Sequence, residues 1–294
     1  MKILLVCNAS LDSKKFLEQN KLLFETAKLC QIELIIKKNN EISYNFSKNG
    51  VIVEKLDCDA VLFYDKDVFL AKALEKNGYK VFNSSDAIEK CDNKALSYEI
   101  LAQNNLPIPK TVVLPLLFFY KQEYIKPFVE NLENQLSYPM VAKKWFGSEG
   151  KQVFLVENRQ MLLQLLDAEK VQLVFQEYCS ECFGKDIRIN IVNGEIVASM
   201  QRFSDSDFRA NLSNGGSATL YVPTTEEAKL ALKTAEVFGC DFCGVDILQT
   251  NNGPVVCEIN SNAHLENIYK VTTINVAKHI LEFVRNKTKY GKEG

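Results

Sequence analysis

From residue 1 to 85, apolar runs alternate with amphipathic stretches. Positions 3–7, 33–37 and 59–64 read as strands, 16–30 carries apolar residues at helical spacing, 68–77 is a helix ended by Gly78, and 79–82 is a short strand. That βαβα order implies a parallel sheet covered by helices on both faces. A helix is expected over 85–104, capped by Ser84 or Ser85 and stopped by Pro107 and Pro109. The stretch 114–136 stands out for Phe118, Phe119, Tyr120, Tyr124 and Phe128. It reads as a helix packing its rings on the core, or as a subunit or substrate surface. From Tyr138 onward the pattern turns to antiparallel strands with inserted helices. Strands over 140–145 and 151–156 flank a turn at 146–150, a helix covers 158–166, and a strand covers 171–178. Strands 186–192 and 195–200 flank Asn193-Gly194, a two-residue hairpin signal. Thr224 or Thr225 caps a helix that runs to Phe238 and ends at Gly239, and 271–286 closes the chain as an amphipathic helix.

The sharpest local pattern lies in 243–260. Two alternating runs meet at Asn251-Asn252-Gly253, with Gly253 where a three-residue hairpin loop needs φ > 0. Closing that loop between residues 250 and 254 sets Asp246 opposite Glu258, with Asn260 two residues further along the same face. Val245, Ile247, Val255, Cys257 and Ile259 then form an apolar underside. Like charges directly opposite each other destabilise a sheet. The pair therefore reads as a site neutralised by a cation, and all-oxygen ligation points to Mg²⁺ or Mn²⁺ rather than zinc. A solvated acidic face is the alternative.

Composition narrows the setting. With 47% apolar and 24% charged residues in 294, the chain is an ordinary globular protein with room for two or three domains. A net charge of −2 gives no electrostatic ground for a nucleic-acid partner or an anionic membrane. No apolar run approaches a membrane span, and the opening Met1-Lys-Ile-Leu-Leu-Val6 fits a buried strand better than a signal peptide. Nine cysteines suit a reducing, cytoplasmic setting better than a disulfide framework. The pairs Cys179/Cys182 and Cys240/Cys243 have zinc half-site spacing. They lie far apart in sequence, however, and Cys243 shares a strand with Asp246, so structural thiols are expected.

Anion-binding features gather in the second half. The turn Phe146-Gly147-Ser148-Glu149-Gly150-Lys151 joins two strands and is not a Walker loop. Such a glycine turn can fold over phosphates and donate backbone N–H groups, or can be a plain hairpin turn. Lys143, a cation in an apolar strand, favours the first reading unless it snorkels to solvent. No GxGxxG follows the first strand, where Cys7-Asn8-Ala9-Ser10 stands, so the N-terminal domain is expected to shape a cleft rather than hold NAD. Asp186, Arg188 and Asn190 line one face of their strand, with Ile187, Ile189 and Ile191 on the other. The polar stretch 203–217 holds Asp207, Arg209, Asn211 and Gly215-Gly216, and reads as a lid or binding loop or as a surface excursion.

Together these segments resemble the ATP-grasp superfamily and, within it, the RimK-type α-L-glutamate ligases. The matching residues are Gln176-Glu-Tyr178, Gly184-Lys-Asp-Ile-Arg188, Asp207-Phe-Arg-Ala-Asn211, Gly215-Gly216, Gly244-Val-Asp-Ile-Leu248 and Glu258-Ile-Asn260, with Asp92-Asn-Lys94 and Val141-Ala-Lys143. The similarity covers nearly the whole chain and is weakest at the N-terminus. It implies a mixed α/β and α+β fold: an N-terminal Rossmann-like (pre-ATP-grasp) domain followed by a two-subdomain ATP-grasp fold. Residues 1–85 would form the first domain. Residues 86–137 would supply a central helix, linker and the first ATP-grasp elements, and 138–290 the nucleotide- and metal-binding region.

The resemblance also implies roles. Lys94 and Lys143 would hold the α- and β-phosphates under a loop containing Gly147, Ser148 and Gly150. Glu177 and Tyr178 would receive adenine, and Asp186 would lie beside the nucleotide. Arg209 and Asn211 would reach the γ-phosphate, with Arg209 catalytic. Arg188 would act catalytically on the tetrahedral intermediate or on a substrate carboxylate. Asp246, Glu258 and Asn260 would hold Mg²⁺ or Mn²⁺, two ions per site. The sequence departs from the family in two places. Lys151-Gln152 stands where a further glycine is common, and Ser261-Asn262-Ala263-His264 follows Asn260 where Ala-Ser-Pro-Gly is common. The second change borders the acceptor pocket and leaves the acid substrate open. His264 reads equally as a substrate ligand or base and as a structural residue.

The expected activity is a cytoplasmic carboxylate–amine ligase that joins an amino acid to a small molecule, peptide or protein through an acyl phosphate. A homo-oligomer is expected, with no nucleic-acid or membrane partner. Two alternatives stand beside it: a kinase that stops at phosphoryl transfer, and an ATP-binding regulatory protein without turnover.

Overall fold

The structure, a computed structural model, describes residues 1–147, 150–212 and 215–290. The apolar runs near the N-terminus become strands β1 (Lys2–Cys7), β2 (Glu33–Lys38), β5 (Ala60–Tyr64) and β6 (Val81–Phe82), parallel and ordered β2-β1-β5-β6. Helices α1 (Lys14–Leu29) and α2 (Val68–Lys76) connect them, and β3 (Tyr44–Ser47) with β4 (Gly50–Val53) adds a hairpin that the periodicity did not announce. β5 is buried along its whole length, which is why it reads as continuous rather than alternating.

The single helix expected over 85–104 is two, α3 (Ser85–Asp92) and α4 (Lys94–Gln103). Asn93 takes an extended conformation between them, and its Oδ1 accepts from the N–H groups of Ala95 at 3.1 Å and Leu96 at 3.3 Å. The break presents Lys94 at a helix start, where its own N–H bonds to Trp145 O at 2.9 Å.

Next come β7 (Thr111–Val113), α5 (Gln122–Gln135), β8 (Met140–Lys144), β9 (Val153–Val156), α6 (Arg159–Glu169) and β10 (Leu173–Glu177). Their antiparallel sheet, ordered β7-β10-β8-β9, packs on α5 and α6 through Phe128, Leu132, Leu162 and Phe175. The ring packing proposed for 114–136 holds for Phe128, which meets Phe175 with centroids 5.8 Å apart, and for Tyr120, which packs half-buried on the same core just before the helix. Phe118 and Phe119 precede the helix, off its apolar face, and are 86% and 70% exposed.

The last sheet, β13-β12-β11-β14-β15, is built from β11 (Lys185–Val192), β12 (Glu195–Phe203), β13 (Ser217–Leu220), β14 (Phe242–Thr250) and β15 (Gly253–Asn260). Helix α7 (Thr225–Phe238) covers it, with a Thr224/Glu227 capping box at one end and Gly239 (φ +65°) at the other. The closing helix is also divided, into α8 (Leu265–Thr272) and α9 (Val276–Tyr290), because Thr273 turns to φ +62°. Ile280, Leu281 and Val284 of α9 share one core with Ile3, Leu5 and Leu62 of the parallel sheet and with Met200 of β12. The first and last parts of the chain therefore face each other across a common apolar layer. No helix of the described residues is long and apolar enough to cross a membrane.

Candidate active site

Asp246 of β14 lies opposite Glu258 of β15, and Gly244 lies opposite Asn260, as the charge pattern predicts. The route to that register differs from the expected one. Thr250 pairs with Gly253, Leu248 with Val255 and Ile247 with Val256, and a bulge beside Ile247 absorbs Cys257 before Asp246 meets Glu258. Val256, not Val255 or Cys257, therefore joins Val245, Ile247 and Ile259 in the underside, while Cys257 faces the cleft with Leu248.

That cleft runs between the β8 sheet and the β14 sheet. Lys94 from α4, Lys143 from β8, Gly147 and Gly150 from the turn, and Glu177 and Tyr178 at the end of β10 line it from one side. Asp186, Arg209, Asn211, Asp246 and Glu258 line it from the other, around a cavity of about 120 Å³. Ser148 lies outside the described residues. Arg188 and Asn260 lie instead on a neighbouring cavity of about 310 Å³, which reaches the N-terminal sheet. Arg202, Asn211 and Glu258 line both cavities, which adjoin at these side chains.

The cations are buried and engaged. Lys143 does not snorkel: it is 7% exposed and donates to Tyr98 Oη at 2.8 Å, with Cys257 Sγ at 3.9 Å. Lys94 Nζ stands 2.9 Å from Glu258 Oε1. Burial works against the Glu258 charge, but Lys94, with Lys143 behind it, holds the carboxyl at a pKa of about 2. Arg188 grips both oxygens of Asp246, and Arg202 reaches Asp246 Oδ2 at 2.9 Å and both oxygens of Asp186 at 2.6 Å. These two buried guanidinium–carboxylate pairs fix the floor of the site. Arg209 pairs with Asp207 and donates through Nη1 to Gly150 O at 2.7 Å and Val153 O at 3.3 Å, tying the polar loop to the glycine turn. Residues 208–211 of the polar stretch thus border the cleft rather than forming a surface excursion. Tyr178 meets Phe208 of the same loop edge-on at 6.3 Å. Glu177 Oε1 accepts from Lys110 N–H at 2.8 Å, which turns its side chain toward the strand end.

Some of the site was missed in the sequence. Arg202 falls just beyond the strand expected to end at 200, although it continues the buried face of Ala198 and Met200. Tyr98 follows Lys94 by one helical turn and so shares its face. Asn190 was noted only as polar. Among the described residues its amide nitrogen and oxygen are buried without partners, as is Asn260 Nδ2, and both residues lie opposite Gly244. A side chain at 244 would come within 2.7 Å of Ala263 Cβ and 3.0 Å of Arg188 Cδ, so glycine keeps that row open. Of the cysteine pairs, Cys179 and Cys182 border the cleft, whereas Cys240 lies 3.5 Å from Cys91, away from it.

Residues 91–284 match the RimK-like ATP-grasp domain. The chain belongs to the RimK-like ATP-grasp family. A probable α-L-glutamate ligase of Maridesulfovibrio salexigens is 35% identical over 237 residues, spanning 79% of this chain and 75% of that protein. An uncharacterised protein of Mycoplasma pneumoniae is 32% identical over 270 residues, 90% of this chain and 92% of its own. A RimK-domain ATP-grasp protein of Sphaerobacter thermophilus has the same fold, with a TM-score of 0.73 at 17% identity over 97% of this chain and all of that one. This RimK-like chain is thus a member of the ATP-grasp carboxylate–amine ligases, a family that uses ATP and Mg²⁺.

Proposed function

We propose that this RimK-like enzyme activates a substrate carboxylate with ATP and couples it to an amine, releasing ADP and phosphate. The observation that carries the reading is the junction of two cavities at Arg202, Asn211 and Glu258, one lined by paired lysines and the other open toward the N-terminal sheet. Lys94 and Lys143 hold the α- and β-phosphates, and the strand end at Glu177 and Tyr178 receives adenine beside Asp186. Gly147 and Gly150 bring the turn over the phosphates, with Arg209 and Asn211 at the γ-phosphate.

Asp246, Glu258 and Asn260 present only oxygen ligands on one strand pair. Glu258 carries its charge at neutral pH, and Asn260 offers a side-chain carbonyl oxygen from the same strand. This set fits a hard divalent cation, which when bound supplies Lewis-acid stabilisation to the phosphate oxygens. The substrate carboxylate oxygen attacks the γ-phosphorus and the bond to the β-bridging oxygen breaks, giving an acyl phosphate and ADP. Arg209 neutralises charge on the transferring oxygens. The amine then attacks the acyl carbon, Arg188 stabilises the tetrahedral oxyanion, phosphate leaves with the bonding pair, and the nitrogen sheds its proton. The loop around Arg209 excludes water, which would otherwise hydrolyse the acyl phosphate.

The test is ADP release with Mg²⁺-ATP across a panel of amino acids and short peptides, each hit checked for condensed product by mass spectrometry. Turnover should require both an acid and an amine, and should fall by about 10²-fold or more in Asp246→Asn. Phosphorylated acid accumulating with no amine present would replace the ligase with a kinase.

A further inference from the structure

We infer that the larger cavity binds a primary ammonium group of a substrate, and that Asp65 is the residue that holds it; this rests on the ligase reading above. The cavity sits at the carboxyl ends of β1 and β5, where Asn8 and Asp65 leave neighbouring parallel strands. Parallel α/β sheets bind ligands at that edge.

Asp65 lines the cavity and is 3% exposed. Its Oδ1 accepts from Asn8 Nδ2 at 2.9 Å and from the Lys66 N–H at 2.6 Å. Its Oδ2 is buried and has no hydrogen-bond partner among the described residues. The other carboxylate on this cavity, Glu258, is neutralised by Lys94. The nearest cation in sequence, Lys66, turns its ammonium to Asp92 and Gly147 O instead. Arg188 and Arg202 are committed to Asp246 and Asp186. Lys15, also on this cavity, stands over the Phe16 ring with its ammonium 5.5 Å from the centroid, and one Asp65 oxygen is left without a hydrogen-bond partner among the described residues. A buried acceptor without a partner costs stability, and a fold retains one where a ligand supplies the donor. An ammonium brings three donors and the opposite charge, whereas an N-acylated nitrogen brings one donor and no charge. The cavity thus selects substrates with a free amino group.

The source of the ammonium is either the acid being activated or the incoming amine, and two readouts separate them. In the first, melting temperature is followed with L-amino acids and with their N-acetyl derivatives. The wild type should bind at least one free amino acid tenfold or more tightly than its N-acetyl form, and Asp65→Asn should lose that preference. In the second, hydroxamate formed from an amino acid, Mg²⁺-ATP and hydroxylamine reports carboxylate activation alone. A tenfold or greater rise in KM for the acid in Asp65→Asn assigns the ammonium to the acid. Unchanged hydroxamate with lost condensation assigns it to the amine.

Without ligand, Asp65→Asn should melt at the wild-type temperature or above, because the change removes a buried charge and keeps an acceptor for Asn8 and Lys66. A fall of more than about 5 °C would make Asp65 a structural brace and overturn the proposal. So would equal binding of free and acetylated ligands by the wild type, or a preference retained in Asp65→Asn. Absence of hydroxamate from the wild type counts against the ligase reading, while the melting series still decides for or against Asp65.

Discussion

At the scale of single residues, the site is organised by what each charge is paired with. Glu258 shows this most directly, because burial alone would raise its pKa and Lys94 reverses the sign. Its carboxyl is held at about 2, against an ordinary value of 4.5. A carboxyl depressed in the folded state contributes stability above its unfolded pKa and loses that contribution as pH falls through the folded one. For Glu258 the window runs from 4.5 down to about 2. In Lys94→Met the nearest attraction is gone, leaving only the weaker pull of Lys143 and Lys66 against burial, so the folded pKa rises. The stability that ionised Glu258 contributes above pH 5 then shrinks. The gap in melting temperature between wild type and Lys94→Met should therefore be widest above pH 5 and narrow steadily as pH is lowered toward 2. A gap that does not change with pH would show that Lys94 does not set the Glu258 charge.

At the scale of elements, the legible parts were those whose chemistry is local. The opposed carboxylates of 243–260 and the Asn193-Gly194 turn, with φ of +52° and +73°, are written in a few adjacent residues. The Cys257 bulge was not legible, because a shorter turn plus one extra residue yields the same Asp246–Glu258 pairing as a longer turn without it. The break at Asn93 escaped notice because a lone asparagine does not interrupt a helical pattern, and the Lys94 N–H that the break frees is taken up by a carbonyl far along the chain, Trp145 O. Arg202 and Asp65 are defined by partners on other elements, which periodicity cannot see. The loop that carries Arg209 depends on one such long-range fit. Gly184, with φ +60°, opens β11 and bonds to Phe208 O at 3.0 Å and, through its own carbonyl, to Ser204 N–H at 2.7 Å. A Cβ there would lie 2.0 Å from Ser204 O and 2.8 Å from Asp207 O, both backbone atoms. Gly184→Ala should cost about 2 kcal/mol from the left-handed conformation and the clash together. It should also displace Arg209, so that kcat falls by more than KM changes. Denaturant unfolding and steady-state kinetics read the two effects, and unaltered kinetics would separate the loop from catalysis.

At the scale of the molecule, the two cavities can meet only if the N-terminal sheet is fixed against the β14–β15 hairpin. Apolar contact alone does not define that relation, since the shared layer around Met200, Ile280 and Leu281 could slide. Directional bonds do. Asn83, fully buried after β6, donates to Phe242 O and Ser261 O at 2.8 Å each, and accepts from the N–H groups of Asp241 at 2.7 Å and Phe242 at 3.1 Å. Tyr64 adds a bond to Ala263 O at 2.5 Å and stacks on Phe242 with centroids 5.9 Å apart. Ser261 and Ala263 come one and three residues after Asn260, and Asn260 and Ala263 line the larger cavity, so this clasp fixes one wall of it. Asn83→Ala leaves two N–H groups and two carbonyls buried without partners. At about 1 kcal/mol or more for each group, the variant should lose about 4 kcal/mol, a large share of the stability of an ordinary domain. Asn83→Asp keeps the two acceptor contacts but opposes a carboxylate to two carbonyl oxygens, and should be at least as damaging. If the clasp sets the geometry between the cavities, the fraction of Asn83→Ala that remains folded at low temperature should still bind nucleotide, because Lys94 and Lys143 lie outside the clasp. It should activate the carboxylate with a raised KM for the second-cavity substrate. Nucleotide binding followed by fluorescence, set beside KM for each substrate at 10–15 °C, measures this. Equal loss at both cavities would mean that Asn83 serves the stability of the chain as a whole and not the alignment of its two halves.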